Sequence, residues 1–160
     1  MVLLSINTGM RRGEVFNLKW ENVNLERAII TIDGDFSKSG KTRHIPLNTE
    51  AFNVLKTWKK ERNHPTLVFP SKNGRKFNNI KRSWAGLLKE ANIENFRWHD
   101  LRHHFASRLV MSGVDLNTVR ELLGHSDMTM TLRYAHLAPE HKANAVEKLV
   151  MGNQIADSSQ

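Results

Sequence analysis

Apolar residues recur along the chain at two different periods, and the switches between them divide it into elements. Val2 to Ile6 is a short apolar run stopped by Thr8-Gly9, after which Val15 and Leu18, three apart, place a second helix over Arg11 to Leu18. The pattern then turns β-branched. Ala28-Ile-Ile-Thr-Ile-Asp33 and Arg43-His-Ile-Pro-Leu47 read as the strands of a basic hairpin, with Gly34, Ser37, Ser39 and Gly40 between them. Pro46 cannot donate to a central ladder, so its strand belongs at an edge or at a strand end. Asn48 caps a helix to about Arg62 with Ala51, Leu55 and Trp58 on one face, and Leu67-Val-Phe69 reads as a third strand. Positions 77, 80, 84, 87, 88 and 91 keep the three-and-four spacing of a buried stripe, leaving Lys81, Arg82 and Lys89 outward on a helix over 77–91. Trp98 to Ser112 is a further helix with Leu101, Phe105 and Leu109 as its core stripe. Asp115 caps another to Leu123, Ser126 or Asp127 starts a short one, and Pro139 opens a last one to about Val150. The pattern predicts an α+β fold, mainly α-helical with a small antiparallel β-sheet. It forms one domain over 1–152 with a flexible tail over 153–160.

Composition narrows the function. Of 160 residues, 39% are hydrophobic and 25% charged, which excludes a disordered chain, and there is no cysteine, which removes disulfides, thiolate catalysis and thiolate zinc sites together. No apolar run is long enough to span a bilayer and Met1 to Met10 does not resemble a secretion signal, so a soluble cytoplasmic protein is expected. The net charge is +8, and it is unevenly spread: residues 1–60 carry +4, 61–100 carry +4, and 101–160 are balanced. That asymmetry predicts a polyanion-facing surface in the first hundred residues, with nucleic acid ahead of an anionic membrane as partner.

The last sixty residues carry more local chemistry. His99 and Arg102 lie about 60° apart on a helix, close enough to converge on one small anion while the apolar stripe holds the helix down. The four-residue spacing of His99 and His103 also matches a zinc-protease helix. That motif needs Glu directly after its first His as general base, where this chain has Asp100, and Arg102 would repel a cation, so no metal is expected. Tyr134 is the sole tyrosine. It follows a Leu-Leu-Gly-His turn at 122–125 by nine residues, at the end of Thr131-Leu-Arg-Tyr134.

Taken together these segments resemble the catalytic domain of the tyrosine recombinases, the phage integrase family. Thr8-Gly-Met-Arg11 with Glu14 is similar to the family's first arginine box, Ser37-Lys-Ser-Gly40 to its hairpin lysine, and His99-Asp-Leu-Arg102 to its His-x-x-Arg box. Leu123-Gly-His125 is similar to its third basic position, and Tyr134 to its nucleophile. The resemblance covers essentially the whole chain and implies the DNA breaking-rejoining fold.

It also implies a chemistry. Tyr134 would attack a DNA phosphodiester, form a 3′-phosphotyrosyl link and release a 5′-hydroxyl, whose later attack reseals the strand in a new pairing without ATP or another cofactor. Arg11, Arg102 and His125 would stabilise the charge on phosphorus, His99 would be base or proton relay, and Lys38, with Lys41 as the alternative, the general acid. Glu14 would orient the site. Ser39, Lys41, Arg43, Arg75, Lys76, Lys81 and Arg82 are expected to contact backbone phosphates of double-stranded DNA. The separate amino-terminal DNA-clamping domain common in the family is expected to be absent from this chain, which predicts weak DNA binding. The tail helix is expected to dock either on its own domain or on a neighbour within a homo-tetrameric synapse. Two other readings are a type IB topoisomerase, which shares nucleophile and charge logic, and a noncatalytic DNA-binding module on the same fold.

Overall fold

The computed structural model describes residues 1–34, 40–61 and 64–138. Helix α1 (Val2–Thr8) stops because Gly9 takes a left-handed φ of 62°, its N–H bonding back to the Ser5 carbonyl. A Cβ at Gly9 would collide with the Phe105 ring, so the turn also sets how closely α1 meets the later helices. Helix α2 (Arg12–Phe16) begins with a capping box in which the Arg11 N–H donates to Glu14 Oε2 at 2.7 Å. It is shorter than the predicted 11–18.

A three-stranded antiparallel sheet follows, in the order β1 (Val23–Asn24), β2 (Ile29–Ile32), β3 (Arg43–Pro46), with Ile30 opposite Ile45 and Thr31 opposite His44. Pro46 ends an edge strand, as its missing N–H demands. The third strand is not the predicted Leu67–Phe69, which contributes one isolated bridge from Leu67 to Lys19. Pro65 and Pro70 flank that segment and limit its ladder, while its Val68 and Phe69 side chains are buried. The expectations for Ser37, Lys38 and Ser39 lie outside the described residues.

Helix α3 (Thr49–Glu61) is capped by Asn48, whose Oδ1 accepts from the Ala51 N–H at 2.9 Å, and it buries Ala51 and Leu55. Helix α4 (Lys81–Glu90) begins four residues later than expected and buries none of its residues. Its stripe meets a loop of aromatics instead of the core: the Trp84 ring stands edge-on to Trp98 at 5.1 Å and its Nε1 donates to the Phe96 carbonyl. Helix α5 (Asp100–Met111) also departs from expectation. Its buried line is Leu101, Arg102, Ala106 and Val110, and Phe105 and Leu109 are only half-buried. Helix α6 (Leu116–Leu123) is capped by the Asp115 carboxylate, which accepts from Asn117 and Thr118, and it stops at Gly124 with φ 63°. Helix α7 (Thr129–Leu132) and a 3₁₀ turn, Ala135–Leu137, complete the described chain. The predicted helix from Pro139 and the tail lie outside the described residues.

Two apolar clusters hold these elements. The first joins α1, α2, the sheet and α3 through Leu4, Val15, Ile30, Ile45, Leu55 and Val68. The second joins α5 and α6 through Ala106, Val110, Val119 and Leu123, with the Tyr134 ring packed in. Each buried Val, Leu or Ile among them contributes about 1.5–3 kcal/mol by leaving water. Helix α1 packs on both α3 and α5, and α6 packs on β3, so the two clusters meet along a seam.

Candidate active site

Polar side chains cross-link that seam. Arg102, on the buried side of α5, donates from Nη1 to the Gly9 carbonyl at 2.7 Å and from Nη2 to the Leu123 carbonyl at 2.6 Å. The ends of α1 and α6 are thereby tied to α5. A guanidinium has five N–H donors, so hydrogens remain for a ligand. This inward turn explains why the α5 stripe departs from the purely apolar expectation. Arg11 donates from Nη1 to Glu14 Oε1 and from Nη2 to the Gly124 carbonyl, both at 3.1 Å.

Glu14 is buried and accepts two further bonds, from Arg43 Nη1 at 2.9 Å and Nη2 at 2.7 Å, while Arg43 Nε reaches the Leu122 carbonyl. Burial by itself would raise the Glu14 carboxyl; the bond and charge of Arg43, joined by Arg11, outweigh it and hold the group below the usual range. Arg43 is therefore no phosphate contact. Its planar fork is filled by a bidentate carboxylate from α2, which turns it into the core. The other described candidates, Lys41, Arg75, Lys76, Lys81 and Arg82, are all exposed.

His125 follows the left-handed Gly124 and is buried, with Nδ1 2.8 Å from Thr131 Oγ1. Burial, then the charges of Arg102 and Arg11, push its imidazole down to about 4, so it is neutral at pH 7. In the tautomer in which Thr131 donates to Nδ1, Nε2 carries the proton and is a donor. Arg102 is pushed down to about 9 by burial and by Arg11, and stays charged at neutral pH. Tyr134 is buried, and its phenol is raised by that burial against the pull of Arg133 and Arg102. Its hydroxyl lies 2.6 Å from His103 Nδ1. His99 is exposed; burial and then His103 lower its imidazole, and the two rings meet edge-on at 4.8 Å.

These groups line one cleft of about 610 Å³. Among the described residues, five arginines (Arg11, Arg12, Arg97, Arg102, Arg133) and three histidines (His99, His103, His125) face it with Tyr134, and no carboxylate does. Its chemistry fits a phosphate-sized anion beside a nucleophilic hydroxyl. Among the described residues no three His, Asp or Glu side chains converge as a metal-binding set. Five of the predicted site residues, Arg11, His99, Arg102, His125 and Tyr134, thus share the cleft, and Glu14 lies behind Arg11. Lys38 lies outside the described residues. Sequence reasoning missed Arg12, Arg97, His103 and Arg133. His103 carried a signal, its place one step past Arg102, but its spacing from His99 was weighed only for metal binding.

Similarity to known proteins shows the family of the chain. The phage integrase family profile matches residues 1–141. The integrase of Salmonella phage P22 is 34% identical over 99% of the chain and 44% of its own length. Among solved structures, the catalytic domain of bacteriophage HP1 integrase is 33% identical with a TM-score of 0.67, covering 91% of this chain and 78% of that one. XerH site-specific recombinase bound to difH substrate is 27% identical with a TM-score of 0.73, covering 91% of this chain and 44% of that one. The chain belongs to the phage integrase family. It spans about half the length of the curated relatives it matches.

Proposed function

We propose that this chain is the catalytic domain of a site-specific DNA recombinase that cleaves and rejoins strands through a 3′-phosphotyrosyl intermediate. The observation that carries the reading is the single cleft shared by the Tyr134 hydroxyl and the guanidinium groups of Arg11 and Arg102. A phosphodiester monoanion gains charge as it becomes five-coordinate, and two planar forks offer paired donors to its non-bridging oxygens. Neutral His125 adds one donor without competing for a proton. Lys38, assigned by resemblance, supplies a proton to the departing 5′-oxygen. The phosphotyrosyl ester conserves the energy of the bond broken, so resealing needs no ATP.

The partner is double-stranded DNA, in keeping with the DNA-bound XerH relative and with the exposed basic residues of the first hundred positions. Exchange between two duplexes cuts and reseals four strands, and one nucleophile per chain makes the working assembly a homo-tetramer. Among the described residues no helix is long and apolar enough to cross a membrane.

Incubation with a randomised nicked duplex library, followed by denaturation and sequencing of the attached ends, tests the reading. The wild-type chain is expected to yield covalent adducts insensitive to chelator, and Tyr134→Phe none while still binding DNA. Adducts that persist in Tyr134→Phe would refute it.

A further inference from the structure

The Tyr134 hydroxyl has a ring-nitrogen partner in this structure, and it is not the histidine that the sequence suggested as base. Forming phenolate from an ordinary tyrosine at pH 7 costs about 4 kcal/mol. Burial raises the Tyr134 phenol further, so attack needs an acceptor in direct contact. Tyr134 Oη meets His103 Nδ1 at 2.6 Å, and the two rings lie 5.9 Å apart between centroids.

His103 follows Arg102 on α5, so consecutive positions of one helix turn the guanidinium into the seam and the imidazole toward the nucleophile. The groups facing His103 are Arg97 and His99 from the segment before α5, Asp100 and Arg102 from its first turn, and Arg133 and Tyr134 from the turn after α7. Burial, then Arg133, lower the imidazole, leaving a neutral ring with a free lone pair at pH 7. Arg133 also favours the anionic form of Tyr134.

We infer that His103 is a catalytic residue, the acceptor of the Tyr134 proton during strand cleavage. The Oη–H bond breaks toward the Nδ1 lone pair as the Oη–P bond forms. The P–O5′ bond breaks, and the 5′-oxygen takes its proton from the general acid Lys38. His103 ends as imidazolium and returns the proton to Oη on resealing. This rests on the reading of Tyr134 as nucleophile, and it moves the base role from exposed His99 to its neighbour one turn on.

Single-turnover adduct formation by the full chain, on a nicked duplex carrying a sequence recovered from the library, tests it. Gln can accept the hydroxyl's hydrogen bond but cannot take its proton. His103→Gln is therefore expected to bind DNA unchanged, to lose about 100-fold in cleavage rate at pH 7, and to lose the acid limb of the wild-type rate–pH profile. A His103→Gln rate equal to wild type, with that limb intact, overturns the inference.

Because Tyr134 is the only tyrosine, a ¹³Cζ-tyrosine label gives one resonance and a second readout on the wild-type protein. That resonance should shift as His103 titrates below its ordinary range, and a signal flat across that interval overturns the pairing. A wild type that forms no adduct while its tyrosine resonance does follow His103 strikes instead at Tyr134 as nucleophile, and the inference falls with it.

Discussion

Glu14 illustrates how a single residue can serve fold and site together. Its carboxylate accepts from the Arg11 backbone, the Arg11 side chain and both terminal nitrogens of Arg43, so one buried charge is shared by two guanidinium groups. Arg11 is held beside the cleft by a partner that is itself fixed from β3. His125 presents the opposite case, a group kept neutral among cations. Its folded value of about 4 lies below the ordinary 6.5, so between those values the unfolded chain binds a proton the folded chain refuses. Its contribution is complete above the unfolded value and is lost as pH falls toward the folded one. Wild type should lose about 2 kcal/mol more stability than His125→Gln between pH 7 and pH 4.5, measured by urea denaturation at the two pH values. Equal losses in both proteins would remove His125 from the acid sensitivity.

Among the elements, the turn that ends α6 tolerates little change. Gly124 combines a φ of 63° with the approach of Arg43, whose Cδ would lie 2.7 Å from an added Cβ. Its carbonyl meanwhile holds Arg11. Gly124→Ala should cost more than the 1–2 kcal/mol of left-handed strain alone, because the buried Arg43–Glu14 pair has to shift too. Gly86 is the contrast: it lies within α4 at an ordinary helical φ, and an added Cβ would meet nothing within 4 Å. Gly86→Ala should stabilise the chain by about 0.5–1 kcal/mol through backbone entropy. Urea denaturation of both variants checks the pair of signs, and destabilisation by Gly86→Ala would contradict the solvent-facing placement of α4.

For the whole molecule, the distribution of charge makes the proposed DNA partner testable. Lys41, Arg75, Lys76, Lys81 and Arg82 are exposed, whereas Arg43 is committed to Glu14. Replacing an exposed cation that contacts phosphate should lower the slope of log affinity against log salt by about 0.9 and weaken binding across all sequences. Lys81→Ala and Arg82→Ala should behave in this way. Arg43→Ala should leave the salt slope alone and destabilise the fold by about 3 kcal/mol, because the buried Glu14 carboxylate loses two of its four donors and keeps only those of Arg11. Binding titrations over a salt series, with denaturation curves for the same variants, separate the two behaviours.

Local signals were legible from sequence because their causes are local. Asn48 and Asp115 cap helices through their own neighbouring N–H groups, Gly9 and Gly124 stop helices by conformation, and Pro46 marks an edge strand. Arg11, His99, Arg102, His125 and Tyr134 stood out in the sequence as ordered motifs resembling those of a known family, and all five line one cleft. The rest was decided by partners distant in the chain. Arg43 is buried because Glu14, 29 positions away, fills its fork, and the α5 stripe turns because Arg102 finds the Gly9 carbonyl 93 positions back. Tyr134 pairs with His103 across 31 positions. Periodicity records which face is apolar, but a buried charge is tolerated only where donors and acceptors from other elements meet it. That meeting exists only once the two clusters have packed against each other.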